Sequence, residues 1–129
     1  MNTITINGVS YPILCDLNAL ETIQEEFESI NKFEMDLLGL KLVKDEGGKQ
    51  VYERDGSPKM ELIEPKIKAI KIALVAMINE GLRFNAYQSG TACEQVSGEK
   101  LIAECEIPYY ELARKLHEEY KRCFASKKN

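Results

Sequence analysis

Asn7-Gly8 stands between two runs that alternate apolar and polar residues, Ile4-Thr5-Ile6 and Val9-Ser10-Tyr11, and no other feature of the chain constrains the fold so tightly. A two-residue hairpin turn needs positive φ at both central positions, and Asn and Gly reach that region at the lowest cost. The turn sets the register: Ile6 opposite Val9, Ile4 opposite Tyr11 and Thr3 opposite Pro12. With a side-chain period of two, Ile4, Ile6, Val9, Tyr11 and Ile13 share one apolar face, and Thr3, Thr5 and Ser10 take the other. Pro12 falls in a non-hydrogen-bonded pair, where its missing N–H costs the hairpin nothing and blunts the outer edge.

The hairpin runs into a helix predicted over 17–30, with Asp16 or Asn18 accepting backbone N–H groups at its start. Leu17, Leu20, Ile23, Phe27 and Ile30 recur at helical spacing as its buried stripe, opposite a solvated glutamate face. Residues 33–63 are open to three readings. Phe33 to Leu40 could close a helix or enter a strand, and Gly47-Gly48 could turn a second, charged hairpin or sit in a disordered loop; Asp55-Gly56-Ser57-Pro58 marks a turn. A second helix is predicted over 65–80, with Pro65 at its first position, Gly81 just past its end and Leu82 as the contact that follows. Lys66, Lys68 and Lys71 mark an exposed face, but no charged residue occurs from Ile72 to Ile78. That segment requires cover all round, from the rest of the core or from a partner. Residues 84–98 are polar, with Thr91-x-x-Glu94 a candidate capping box. A weak helix through Leu101, Ile102 and Cys105 follows. The last helix begins at Pro108 and lines up Leu112, Ala113, Leu116, Tyr120, Cys123 and Phe124; Ser126 to Asn129 are expected to fray.

At 129 residues the chain is the size of one domain, assigned to residues 1–126 with 33–63 as a charged insertion and 127–129 as a tail. The net charge of −4 and pI near 5.2 argue against general nucleic-acid or anionic-membrane binding and favour protein partners. The start of the chain lacks the pattern of a secretory leader, and no apolar run approaches the ~20 residues of a membrane span, so the expected location is the cytoplasm. Cys15, Cys93, Cys105 and Cys123 form no C-x-x-C pair, and the lone His117 lies on a predicted helix, so the cysteines read as reduced small hydrophobes with no metal and no cofactor. No nucleophile elbow, metalloprotease, P-loop or dinucleotide-binding motif is present. His117 reads as a boundary residue. The Glu25-Glu26 and Glu118-Glu119 pairs point about 100° apart on a helix and cannot converge on one substrate atom. The expectation is a protein that is not an enzyme.

The Ile-x-Ile-Asn-Gly-x-x-Tyr hairpin at residues 4–11, followed by Asp16-Leu17-Asn18-Ala19-Leu20-Glu21, resembles the N-terminus of the tail assembly chaperones of long-tailed phages and prophages. Ala73-Leu74-Val75-Ala76-Met77-Ile78-Asn79-Glu80-Gly81-Leu82 is similar to that family's central apolar helix. Residues 33–62 are longer and more charged than the family pattern. The resemblance implies an α+β fold, an N-terminal β-hairpin followed by a small bundle of three to four helices, with room for a second hairpin insertion. It implies a cytoplasmic, non-catalytic protein that keeps the tape measure protein soluble until tail-tube protein polymerises around it, working as a homo-oligomer or as several copies per client. Candidate partner contacts are Ile72, Val75 and Met77 on the second helix and Tyr109 and Tyr110 on the last. The alternative is another small protein-binding adaptor or structural connector encoded by a mobile element, with the same fold and a different partner.

Overall fold

The computed structural model describes residues 1–125, so the tail expected at 127–129 lies outside the described residues. Asn7 and Gly8 both take positive φ, 50° and 77°, and join β1 (Thr3–Ile6) to β2 (Val9–Pro12) in the expected register. Ile4, Ile6, Tyr11 and Ile13 are buried. Val9, assigned to the same face, is 49% exposed although its cross-strand partner Ile6 is fully buried.

Asp16 caps α1 (Leu17–Glu26), its Oδ1 accepting the Ala19 N–H at 3.0 Å. The helix is shorter than expected. Phe27 turns to extended backbone, and Ser29 opens α2 (Ile30–Leu38) by accepting the Lys32 N–H at 3.0 Å. The hydroxyl satisfies one of the donors that a new helix start leaves without a partner. The break turns Phe27 and Phe33 toward each other, with ring centroids 5.4 Å apart. Leu17, predicted for the stripe, is 83% exposed; Ala19 and Ile23 are the buried residues of α1.

Gly39 ends α2 in the left-handed conformation, φ 74°, and a Cβ there would lie 2.5 Å from the Ile63 carbonyl oxygen. Glycine is therefore required twice over, for the turn and for close approach. The segment that follows is neither disordered nor a single hairpin. β3 (Leu40–Leu42) pairs antiparallel with β4 (Met60–Leu62), and between them the chain makes two further lobes closed by the bridges Lys44↔Gln50 and Tyr52↔Pro58. The three arms meet in a closed ring. Val51 N–H donates to Val43 C=O at 3.0 Å, Val43 N–H to Lys59 C=O at 2.9 Å, and Lys59 N–H to Val51 C=O at 2.8 Å. The Gln50 amide lies at the hub, its Nε2 2.9–3.4 Å from all three carbonyl oxygens.

The two lobes repeat one pattern at a spacing of eight residues. Asp45 N–H bonds Lys49 C=O as Glu53 N–H bonds Ser57 C=O, and Gly48 N–H returns to Asp45 as Gly56 N–H returns to Glu53. Gly48 and Gly56 supply the positive φ, 80° and 88°. Val43 to Gln50 and Val51 to Pro58 are thus two copies of a Val-x-acid-x-x-Gly octad, a sequence signal that sequence analysis did not use.

The centre of the body is α3 (Ile67–Ser89), packed by β2, α1, α2, α4 and α5. It begins after Lys66, two residues later than expected: Lys66 is still extended, φ −79° and ψ 125°, with its N–H donating to Asp36 C=O at 2.8 Å. It also runs past Gly81. That glycine is a close-approach residue in mid-helix: a Cβ there would lie 2.6 Å from the Pro12 carbonyl oxygen. Beside it Leu14 N–H donates to Met77 C=O at 3.0 Å, seating the end of β2 on the helix. The helix is ended instead by Gly90, φ 66°.

Thr91 opens no helix; Ser97 caps α4 (Gly98–Glu104). In α5 (Tyr109–Phe124), Leu112, Ala113, Leu116 and Tyr120 are buried as predicted, whereas Phe124 is 55% exposed. Among the described residues two antiparallel strand pairs and five helices make the fold α+β. Among the described residues no helix is long and apolar enough to cross a membrane.

Candidate functional site: a groove on the central helix

The uncharged half of α3 is not covered all round. Lys71, Ile72, Val75, Ala76 and Asn79 recur on one face at helical spacing, and that face forms the floor of a groove of about 520 Å³ between α1 and α4. Ile72, Val75, Ala76 and Ile102 are half-buried and give it an apolar base. Asn18, Thr22 and Glu26, one turn apart on α1, form one wall; Gln95 and Ile102 belong to the other.

Polar contacts hold the walls in place. The Asn79 side-chain amide donates to Val96 C=O at 3.2 Å and accepts from Val96 N–H at 3.0 Å, pinning the α3–α4 connection to α3 as a strand neighbour would. Gly98 brings α4 down onto Val75; a Cβ there would meet the valine methyls at 3.3 and 3.4 Å. At the α1 end, buried Glu80 accepts from Asn18 Nδ2 at 3.1 Å and from Arg83 Nε at 3.0 Å, with a second, shorter contact from the same guanidinium. The Arg83 hydrogen bonds hold the Glu80 carboxyl at about 2, against the opposing effect of burial. Asp16 moves the other way: burial raises it first, and its hydrogen bond with Glu80 adds to the rise.

The five predicted contact residues are separated by the fold. Ile72 and Val75 line the groove. Met77 is 0% exposed on the opposite side of α3, so it belongs to the core and is withdrawn as a contact. Tyr109 and Tyr110 lie at the start of α5, outside the groove lining, with ring centroids 4.3 Å apart. Tyr110 is exposed, while Tyr109 is half-buried against the core. The hydrogen bond with Tyr110, followed by burial, pushes the Tyr109 phenol up to about 12. Ile102 and the amide groups at Asn18, Asn79 and Gln95 were not legible as site residues in the sequence, because their convergence depends on how α1 and α4 flank α3.

The titratable groups elsewhere serve the packing. His117 Nε2 lies 2.9 Å from Glu34 Oε2, with the imidazole stacked on Tyr120. Glu119, 1% exposed, accepts from Cys15 N–H at 2.7 Å, Asn2 Nδ2 at 2.8 Å and the Arg122 guanidinium, so the carboxylate ties both ends of the hairpin to α5. Glu118 beside it faces solvent and pairs with Arg114 at 2.9 Å, as helical geometry requires of neighbours. Among the described residues no three His, Cys, Asp or Glu side chains gather as a metal site. A second depression, about 1070 Å³, lies between α2 and the β arm and mixes Met35, Leu40 and Ile63 with lysines and acids. No family model, curated protein or solved structure matches the chain.

Proposed function

We propose that this chain is a non-catalytic chaperone of phage or prophage tail assembly, acting in the host cytoplasm by holding helical segments of the tape measure protein in the α1–α3–α4 groove. The observation that carries the reading is the groove itself: an apolar floor of Ile72, Val75, Ala76 and Ile102 under a polar rim of Asn18, Thr22, Asn79 and Gln95 with the charged Glu26 and Lys71. A floor of that kind covers the apolar stripe of an amphipathic helix, and a rim of amides, a hydroxyl and single charges of each sign, Glu26 and Lys71, pairs with its polar flanks. The likeness of residues 4–21 and 73–82 to the tail assembly chaperones supplies the client. Several copies along one long client convert modest affinity per groove into firm retention, and tube protein releases the client by competing for it.

Co-expression with a tape measure protein encoded beside this chain, followed by pull-down and light scattering, tests the reading. The expected result is soluble client carrying several copies of the chain. Ile72→Asn and Ile102→Asp, each at a half-buried position, are expected to keep a cooperative melt and weaken client binding by about tenfold or more. Client that stays insoluble while the chain purifies folded and alone would overturn it.

A second reading, an adaptor or connector of a mobile element, is favoured by the β arm. Residues 40–62 form a built, charged projection that the chaperone likeness does not account for. An arm-dependent partner that ignores the groove substitutions would put this reading first.

A further inference from the structure

Two cysteines from opposite ends of the chain meet in the folded protein. Cys15 lies between β2 and α1 and is 1% exposed; Cys123 is half-buried in the last turn of α5. The meeting is built by α5 around the Cys15 peptide. Glu119 accepts the Cys15 N–H at 2.7 Å, and Arg122 Nη2 donates to the Cys15 carbonyl at 3.0 Å. Cys123 follows Glu119 by one helical turn on the same face and adjoins Arg122, so it stands between the two side chains that hold the Cys15 peptide. Clamps on both sides of Cys15 fix its peptide on the face of α5 that carries Cys123, so the two cysteines are neighbours in the fold. Cys93, by contrast, is exposed on the α3–α4 connection, and Cys105 caps α4.

We propose that Cys15 and Cys123 form an oxidative modification site, closed to an intramolecular disulfide by exchange with a low-molecular-weight disulfide of the glutathione type. Access sets the order of events. Cys123, the reachable thiol, loses its proton and attacks one sulfur of the small disulfide; that S–S bond breaks, and the departing thiolate takes up a proton. Cys15 then loses its proton and attacks the Cys123 sulfur of the mixed disulfide, expelling the second small thiol. Two protein thiols are oxidised and one small disulfide is reduced to two thiols, with the two protons passing to them. Burial, with Cys123 and Glu119 nearby, holds the Cys15 thiol protonated well above the ordinary range, so the second step is the slow one and quickens as pH rises. The product ties the entry to α1, a wall of the groove, to α5 near the C-terminal end of the described chain.

The test uses the folded full-length chain with Cys93→Ser and Cys105→Ser, incubated with oxidised glutathione, alkylated, and read by intact mass and non-reducing peptide mapping. Expected are the loss of two hydrogens, no retained glutathione, one peptide linking Cys15 to Cys123, and a urea midpoint higher by on the order of 1 M that returns on reduction. In the same background Cys15→Ala should trap glutathione on Cys123, and Cys123→Ser should form no cross-link. Glutathione that stays on Cys123 while Cys15 is present, or thiols that react only once urea unfolds the chain, would overturn the proposal. Should Cys15→Ala fail to fold, the parent background and Cys123→Ser decide it alone.

Discussion

Around Phe33 the body of the protein packs rings against rings, Phe27 at 5.4 Å and Tyr120 at 5.6 Å, among side chains shut off from solvent. From Leu40 to Leu62, in the β arm, no side chain is buried. The arm keeps its shape through the Val43–Val51–Lys59 backbone ring, the Gln50 hub and two glycine turns. Hydrogen bonds at a solvated site contribute about 1 kcal/mol each once exchange with water is counted, whereas a fully buried Phe contributes several times that. The body should therefore unfold as one cooperative unit, and the arm should open on its own at lower free energy.

The largest effect that would break this contrast is Phe33→Ala. It removes a ring of zero exposure from between two aromatic neighbours and is expected to cost about 3–5 kcal/mol, seen as a lower urea midpoint or loss of cooperative melting. A small effect there would mean that the aromatic cluster is not the centre of the body.

Gly81→Ala comes next. Its methyl would meet the backbone of Pro12, which cannot yield as a flexible side chain does, so about 1–3 kcal/mol is expected, with the Leu14 amide exchanging faster as the hairpin lifts.

Acid sharpens the comparison further, because the buried carboxylates of the body have no counterpart in the arm. Glu80 is held at about 2, below its ordinary 4.5, so its contribution is present above pH 4.5 and is lost as pH falls toward 2. Asp16, raised by burial and then by Glu80, works in the opposite sense: its charged form costs stability above its ordinary range, and protonation relieves that cost as pH falls. Glu80→Gln should flatten the acid limb of a pH–melting curve between about pH 4.5 and 2 and cost about 1–3 kcal/mol at neutral pH. An acid limb identical to that of the parent protein would refute the assignment.

The smallest effect is expected from Gln50→Ala. Losing the hub amide should speed hydrogen exchange at Val43, Val51 and Lys59 by roughly tenfold and leave the melting temperature of the body unchanged. A shift in global melting would show the arm and body to be one cooperative unit.

Local chemistry was legible wherever a residue solves a problem within a few positions of itself. Asn7-Gly8 dictates its hairpin, Asp16 caps α1, and the apolar stripe of α5 follows from spacing as far as Tyr120. The groove was legible in part: the uncharged run 72–78 announced that something must cover it, and Ile72 and Val75 do line it. Spacing alone could not assign the sides of α3, so Met77, two residues from Val75, went to the wrong one.

Tertiary structure decided the rest, for one physical reason: the outcome depended on a partner far away in the chain. Gly81 reads as a helix end by local rules, yet its missing Cβ is used by Pro12. Nothing local marks Glu80 and Glu119 for burial, yet Arg83 and Arg122 compensate it and let them bind the N-terminal segment. Leu17, Val9 and Phe124 have the pattern of core residues but lie where no element arrives to cover them. The sequence by itself determined the Asn7-Gly8 turn, the Asp16 cap and the α+β class. Which faces were buried, where α3 stopped, and that Cys15 would meet Cys123 were decided only when the helices closed around α3.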